Sequence, residues 1–358
     1  MRCFCTVATW SHLRMARILA ASLQQAGNLE ILHVLIPDAE KNEVPPDEEG
    51  ITYHGLDEVR GDFPELMPYY YDEFELCNGL RPFFLSLLFR QGHRQVVYLD
   101  SDIYVTASFE PIWKEVQPYS LLITPHQLNP PALNLSYTNE IAVVDQGVYN
   151  SGFSAWNLGT ETEQILRWMC ERFPLYVFVN RKRFMFGDQK LYPLIENYFP
   201  DRVKIFRQPW LNIAFWNSHE RNVEVKGGSF RCGGEPALFF HLSGYRRSHP
   251  DLICNYFSRQ MNEEILRAAP WFREVLFRYT EIFDAIPATP GRSYRFNRLR
   301  GMRLNPDLRW RLFEKGSLRW GDPFVLRSLF WHGLKRIKRR SKRLLQPKMI
   351  DGARNEDK

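Results

Sequence analysis

The first 36 residues constrain the fold more than any other stretch of the chain. Cys3 to Ala8 is a short apolar run, and Leu29 to Ile36 is a second one, closed by Pro37-Asp38. Between them, His12 to Ala26 places Leu13, Ala16, Ala20 and Leu23 on one helical face, and Gly27 supplies a stop. Strand, helix and strand in so short a space read as a βαβ unit, which implies parallel strands joined by a right-handed crossover.

The alternation continues. Asp38 to Gly50, acidic and Pro-containing, reads as a surface loop. Asp72 to Gly92 is a helix that Pro82 either kinks or opens. Gln95 to Asp100 is a buried strand ending in charge; Ser120 to Thr124 and Phe153 to Asn157 are further strands. Thr160 to Arg172 and Asp188 to Tyr198 are helix candidates, so an α/β domain is expected over residues 1–250. Helices then dominate, at Asn255 to Ala268 and Trp271 to Phe283, before a Pro/Gly break at Pro287 to Gly291. A helical extension is assigned to residues 251–330 and a basic tail to 331–358.

Charge separates the tail from the body. The net charge is +6, but the last 28 residues carry +7, which leaves the first 330 residues at −1. A nearly neutral body argues against a nucleic-acid-binding domain, whose basic footprint lies on the folded surface. The high aromatic content, 15% of residues, suits either broad pockets or an aromatic-rich core. No apolar run reaches the roughly 18 residues of a spanning helix. The N-terminal run turns polar at Ser11-His12 before an export segment forms, so a cytoplasmic chain with reduced thiols is expected. The six cysteines contain no Cys-x-x-Cys pair, and zinc and redox motifs are unsupported.

The feature that carries chemistry is Tyr98-Leu99-Asp100-Ser101-Asp102. In extended chain, residues i and i+2 point to one side, so the two carboxylates converge on one cation. They stand where a parallel strand leaves the sheet, the end at which open α/β sheets bind ligands. An oxygen-rich site there suits Mg²⁺ or Mn²⁺ held against a diphosphate, the alternative being a solvated acidic turn.

Val96-Val97-Tyr98-Leu99-Asp100-Ser101-Asp102-Ile103 resembles the Asp-x-Asp signature of nucleotide-sugar-dependent glycosyltransferases of the GT-A type. Asn150-Ser151-Gly152-Phe153-Ser154-Ala155-Trp156-Asn157, Gly187-Asp188-Gln189 and His241-Leu242-Ser243-Gly244 resemble further elements of that family, in its order. The set is similar to the retaining family of glycogenin and the bacterial lipooligosaccharide galactosyltransferases. Arg81-Pro82-Phe83-Phe84-Leu85 and Gly321-Asp322-Pro323-Phe324 bring it closer to a related bacterial group, so the likeness covers about residues 1–324. A GT-A fold follows as the expectation: a Rossmann-like, mixed, mainly parallel sheet flanked by helices.

What the resemblance implies can be stated residue by residue. Asp100, Asp102 and His241 would hold Mn²⁺ or Mg²⁺, the imidazole favouring Mn²⁺. Ser101, Arg81 and Arg247 would meet the nucleotide-sugar diphosphate, and the ion with Arg247 would neutralise the departing charge. Thr6, Ala8, Thr9 and Trp10 resemble the segment that holds base and ribose, uridine being the family expectation; Trp10 reads equally as ordinary packing. Asp188 and Gln189 would lie beside the anomeric carbon, with retention by front-face attack or a covalent intermediate; Asp188 would be nucleophile, hydroxyl contact or stabiliser of the oxocarbenium-like centre. Asp188 also reads as a helix N-cap, and Asn150, a sugar-hydroxyl contact, also reads as a turn former.

Two positions depart from the pattern. The basic residue before Pro-Phe-Phe is Arg81 where the family usually has Lys, and Arg247 replaces a Lys whose following Pro-Trp is absent. The tail, with seven cations between 335 and 343, fits a basic interfacial helix on the anionic inner face of a membrane, near a glycan or lipid-linked acceptor, the alternatives being nucleic-acid binding or a plain solvated tail. Two other functions share the fold class. A sugar nucleotidyltransferase would show a Gly-rich, basic phosphate loop after the first strand, which Thr9-Trp10-Ser11-His12 lacks. A catalytically silent glycan-binding module would have no need of grouped ionised side chains.

Overall fold

The structure, a computed structural model, describes residues 1–296, 298–299, 302–305 and 307–310. The expected βαβ unit opens the chain: β1 (Arg2–Val7), α1 (Leu13–Gln25) and β2 (Leu32–Ile36). Then come β3 (Ile51–Gly55), α2 (Glu73–Arg90), β4 (Gln95–Leu99) and β5 (Ile103–Val105). The middle of the chain supplies β6 (Leu121–Pro125), β7 (Tyr149–Asn157), α3 (Thr160–Tyr176) and β8 (Val203–Ile205). Finally β9 (Phe239–His241) precedes α4 (Arg259–Ala268) and α5 (Phe272–Ala285).

Seven strands form one mixed, mainly parallel sheet in the order β8-β6-β7-β4-β1-β2-β3. β7 is the antiparallel member, running against both β4 and β6. The other neighbours, β1 with β2 and β4, β2 with β3, and β6 with β8, are parallel. The switch matters for function, because it brings the start of β7 beside the end of β4, where Asp100 N–H donates to the Gly152 carbonyl at 2.8 Å.

Burial explains why these segments settle. α1 turns Leu13, Ala16, Leu19, Ala20 and Leu23 into a core shared with Phe4, Val34, Val97 and Phe153. Each fully buried leucine contributes roughly 1.5–3 kcal/mol. Many aromatics lie in the interior of the molecule: Trp113, Trp156, Tyr53, Tyr98, Phe4, Phe83 and Phe84 are all fully buried. α2 begins with a capping box, Asp72 and Glu75 each accepting the other's backbone N–H. It runs on through Pro82, which forfeits one backbone bond without opening a new segment there.

Contacts divide the chain into two compact units, residues 1–63 with 71–296, and 64–70 with 297–358. α4 and α5 belong to the first, where Phe272, Val275, Leu276 and Tyr279 share a second core cluster with Phe240 and Ile213. In the second unit, the described residues comprise a helical turn at Met67–Tyr70, a strand pair at Arg298–Leu299 and Met302–Arg303, and a turn of helix at 307–310. Gly321 to Phe324 and the basic tail 331–358 lie outside the described residues. Among the described residues, no helix is long and apolar enough to cross a membrane.

Candidate metal centre and active site

The two acids stand in a turn, which corrects the extended-chain expectation. Ser101 and Asp102 form the turn between β4 and β5, with Ile103 N–H donating to the Asp100 carbonyl at 3.2 Å. Convergence comes instead from a second pairing, β5 antiparallel to β9, with His241 opposite Ile103. Leu242 N–H closes the register on the Asp102 carbonyl at 2.9 Å. His241 Nε2 then lies 3.1 Å from Asp102 Oδ1 and 4.0 Å from Asp100 Oδ2. Donor atoms from all three residues fall within 4.8 Å of one another.

The surrounding residues fix how these donors point. Asp100 Oδ1 accepts from Arg81 Nη2 at 2.7 Å and from Tyr98 Oη at 2.8 Å, which leaves Oδ2 turned toward His241. Arg81 is buried beneath the acids, its guanidinium 4.5 Å from the centre of the Tyr98 ring. Its Nη1 donates to Asp188 Oδ2 at 2.8 Å and to the Ser151 carbonyl at 2.9 Å. Such outer partners orient a ligand and raise its basicity.

Charge follows the geometry. Burial opposes ionisation of His241, but Asp102 and its hydrogen bond outweigh that and raise the imidazole above its ordinary range. Burial likewise works against Asp102, and His241 holds the carboxyl below its usual value. Asp188 goes the other way: burial lifts its carboxyl, although the Arg81 charge and Ser151 hydrogen bond both oppose the rise.

The centre fits a divalent cation. Two hard carboxylate oxygens and one imidazole are a donor set for Mn²⁺-class ions. Space for an ion is kept open by Gly152 on β7: a methyl group there would sit 2.4 Å from His241 Cε1 and 2.7 Å from Asp100 Oδ2.

The other expected residues fall at varying distances from this centre. Asn150 is in β7, not in a turn; its Oδ1 accepts Gly152 N–H at 3.2 Å and its Nδ2 meets His126 Nε2 at 3.1 Å. Asp188 occupies the N-cap position of a short 3₁₀ turn, but its side chain makes no cap bond. Both its oxygens face inward, Oδ1 accepting from Ser151 Oγ at 2.8 Å and Oδ2 from Arg81. Gln189 opens that turn and lies against Gly147, whose φ of 133° admits few other residues.

Thr6 and Ala8 are buried at the carboxyl end of β1, and Thr9 Oγ1 meets Ser11 Oγ and His12 Nδ1 at 3.0 Å each. Trp10 N–H donates to buried Asp38 at 2.8 Å; its indole N–H reaches the Pro290 carbonyl, and Arg292 lies 5.2 Å from its ring centre. Arg247 is not drawn into the acid pair: it makes a two-pronged bridge to Asp284 at 2.8 and 2.9 Å. Ser151 and Gly152 belong to the motif of residues 150–157, but the sequence assigns them no role; His126 and Trp216 it does not single out at all, though Trp216 stacks edge-on to His241 at 5.1 Å. A glycine inside an otherwise well-filled strand was the one available signal.

No family model matches the chain. YfnF of Bacillus subtilis (strain 168), an uncharacterized protein, is 27% identical over 178 residues, 49% of this chain and 58% of YfnF. The match therefore spans little more than half of that relative's length. YfnD of the same organism, also uncharacterized, is 26% identical over 253 residues, 68% of this chain and 77% of YfnD. Among solved structures, the galactosyltransferase LgtC with donor and acceptor sugar analogs gives a TM-score of 0.48 at 15% identity, covering 81% of this chain and 98% of LgtC. The glycosyltransferase GlyE of Streptococcus pneumoniae TIGR4 gives 0.40 at 14%, covering 81% and 66%. Mouse xyloside xylosyltransferase 1 gives 0.39 at 14%, covering 67% and 96%. These three solved structures are of glycosyltransferases, and each likeness is one of fold.

Proposed function

We propose that the chain is a metal-dependent glycosyltransferase that moves a sugar from a nucleotide-sugar donor, a uridine diphosphate sugar, to a glycan or lipid-linked acceptor. The observation that supports this best is the meeting of Asp100, Asp102 and His241 at the carboxyl end of β4. Asp100 through Oδ2, Asp102 and His241 would hold Mn²⁺ or Mg²⁺. When bound, the ion supplies Lewis-acid neutralisation of charge on the departing diphosphate.

The chain's own residues do the rest. Arg81 and Tyr98 fix Asp100 Oδ1, so the carboxylate presents one oxygen outward. Asp188, with both oxygens engaged, acts in this reading as the anchor of Arg81 and not as a nucleophile. Front-face departure and attack, with retention of configuration, then accords better with the site than a covalent intermediate on Asp188. Asn150 and Gln189 remain as the polar side chains for donor-sugar hydroxyls. Trp10 would flank the base, and Arg247 would serve the diphosphate only after leaving Asp284. We assign the basic run from 335 to 343 to peripheral contact with an anionic inner membrane face.

The test is Asp102→Ala. Donor hydrolysis stimulated by Mn²⁺ should fall at least about 100-fold while the melting temperature stays near that of the parent, as for the loss of several kcal/mol of charge stabilisation. Full activity without this carboxylate overturns the reading. Release of pyrophosphate from a sugar phosphate and a nucleoside triphosphate would replace it with a nucleotidyltransferase.

A further inference from the structure

At the opposite end of the same strands, a second group of ligand-type side chains is built into the sheet. Cys3 on β1, His33 on β2 and His93 in the turn before β4 bring donor atoms within 4.8 Å of one another. Strand alternation puts Cys3 on the same face as Cys5, and Cys5 is the register partner of His33. His54 on β3 follows on that face, with Phe84 of α2 edge-on to it at 5.2 Å. A helix-covered sheet face ordinarily carries Val, Ile or Leu at such positions. Here it carries a thiol and imidazoles.

The hydrogen bonds assign the tautomers. His54 Nδ1 faces Glu58 Oε1 at 3.0 Å, so the proton of neutral His54 sits on Nδ1. His54 Nε2 is then an acceptor, and it lies 2.9 Å from His33 Nδ1, which must donate. His33 Nε2 therefore keeps a bare lone pair. That atom is buried on a residue only 7% exposed and has no hydrogen-bond partner; His93 Nδ1, also buried, has none either. A carboxylate that orients one imidazole through another, leaving a free nitrogen beside a thiol and a second free nitrogen, is the outer-shell arrangement of a histidine metal ligand. An unpartnered buried nitrogen is otherwise a cost to the fold.

We propose that Cys3, His33 and His93 form a second cation site, with the sulfur and two imidazole nitrogens binding Zn²⁺ and a fourth position open to water. The donor softness separates it from the first site: one thiolate and two imidazoles select zinc, whereas Asp100, Asp102 and His241 select harder ions. On binding, the Cys3 S–H bond breaks, its electron pair forms the sulfur–zinc bond, and the proton leaves to solvent. His93, partly exposed, gives the ion its way in. The two sites flank β4, and at about 3.3 Å per residue they stand roughly 15–20 Å apart. Zinc here ties β1, β2 and the turn before β4 together. The cysteine spacing offers no hint of the site because its three residues come from three separate elements.

The experiment uses the full chain carrying Asp102→Ala, stripped of metal by chelation and titrated with Co²⁺ as the spectroscopic stand-in for zinc. The expected result is a near-ultraviolet thiolate-to-cobalt band that saturates at one equivalent and is displaced by Zn²⁺. Cys3→Ser should abolish the band, and His93→Ala should weaken cobalt binding by about 10- to 100-fold or more. His93 sits in a partly exposed turn, so its variant remains informative where Cys3→Ser fails to fold. Zinc should also raise the melting temperature of the Asp102→Ala chain and not of the chain also carrying His93→Ala. Absence of the band, or a band and a zinc shift unchanged by His93→Ala, overturns the proposal.

Discussion

Gly152 leaves the space beside His241 clear: a methyl group at its α-carbon would lie 2.4 Å from the imidazole Cε1, and 2.7 Å from Asp100 Oδ2. Neither neighbour can retreat easily, since His241 is locked in a strand pair and Asp100 is bound by Arg81 and Tyr98. Gly152→Ala should therefore push the ligands apart at a cost of about 1–3 kcal/mol in stability. Metal-stimulated donor hydrolysis should fall much further than the melting temperature suggests. Paired unfolding and activity measurements check this; an alanine variant with parental activity contradicts it.

Tyr98→Phe removes one hydroxyl and little else. The Tyr98 hydroxyl holds Asp100 Oδ1 at 2.8 Å. Without it, Asp100 keeps the Arg81 bond but loses part of its orientation, and Mn²⁺ affinity should drop about 10-fold, at the low end for an outer-shell partner. Calorimetric titration of Mn²⁺ into both chains measures the change.

Arg81→Met strands two carboxylates. Asp188 is 1% exposed and Asp100 Oδ1 shares the same guanidinium, so the variant takes the one cation from a buried carboxylate that keeps, among the described residues, only the Ser151 hydroxyl. Destabilisation of about 3–5 kcal/mol is expected, as for removal of one member of a buried pair. Urea denaturation at neutral pH reads it directly. Asp188→Asn, which keeps a hydrogen-bonding oxygen for Arg81, should cost less.

The His126 imidazole makes folding stability depend on pH. Burial pushes it down to about 4, opposed by the Gly147 carbonyl and reinforced by His241. In the unfolded chain the ring takes its proton near pH 6.5; in the fold it resists until about 4. The unfolded state thus binds more protons between those values, and stability falls as the pH falls through them. Relative to His126→Gln, the parent should lose up to about 1.4 kcal/mol more per pH unit in that window. Urea midpoints at pH 7, 6 and 5 test the slope; equal slopes contradict it.

Sequence periodicity located β1, α1, β2, β4 and the helices after residue 250 within a few residues, because each is long enough to show an apolar face. β5 and β9 escaped it. Each has three residues, too few for a period, yet their pairing is what delivers His241 to Asp102. The grouping of the three ligands was legible only through motif order and its resemblance, and the extended-chain argument for Asp100 and Asp102 gave the wrong local geometry. Asn150-Ser151-Gly152 looks like a turn in sequence but lies in β7, since Gly152 answers a need for space and not for a bend. Asp188 read as a cap or a reactive group; burial of Arg81 turned it inward instead. Side-chain partners across 70 or more residues have no local signature.

The site proposed at the tip of β4 takes a diphosphate through a bound metal ion. Calorimetry of uridine diphosphate binding, with and without Mn²⁺, on the parent and Asp102→Ala chains tests it most directly. Binding at least about ten-fold tighter with Mn²⁺ is expected in the parent, a gain of about 1.4 kcal/mol, with no such gain in the variant. Equal affinity with and without the metal, or the same gain in Asp102→Ala, would contradict it.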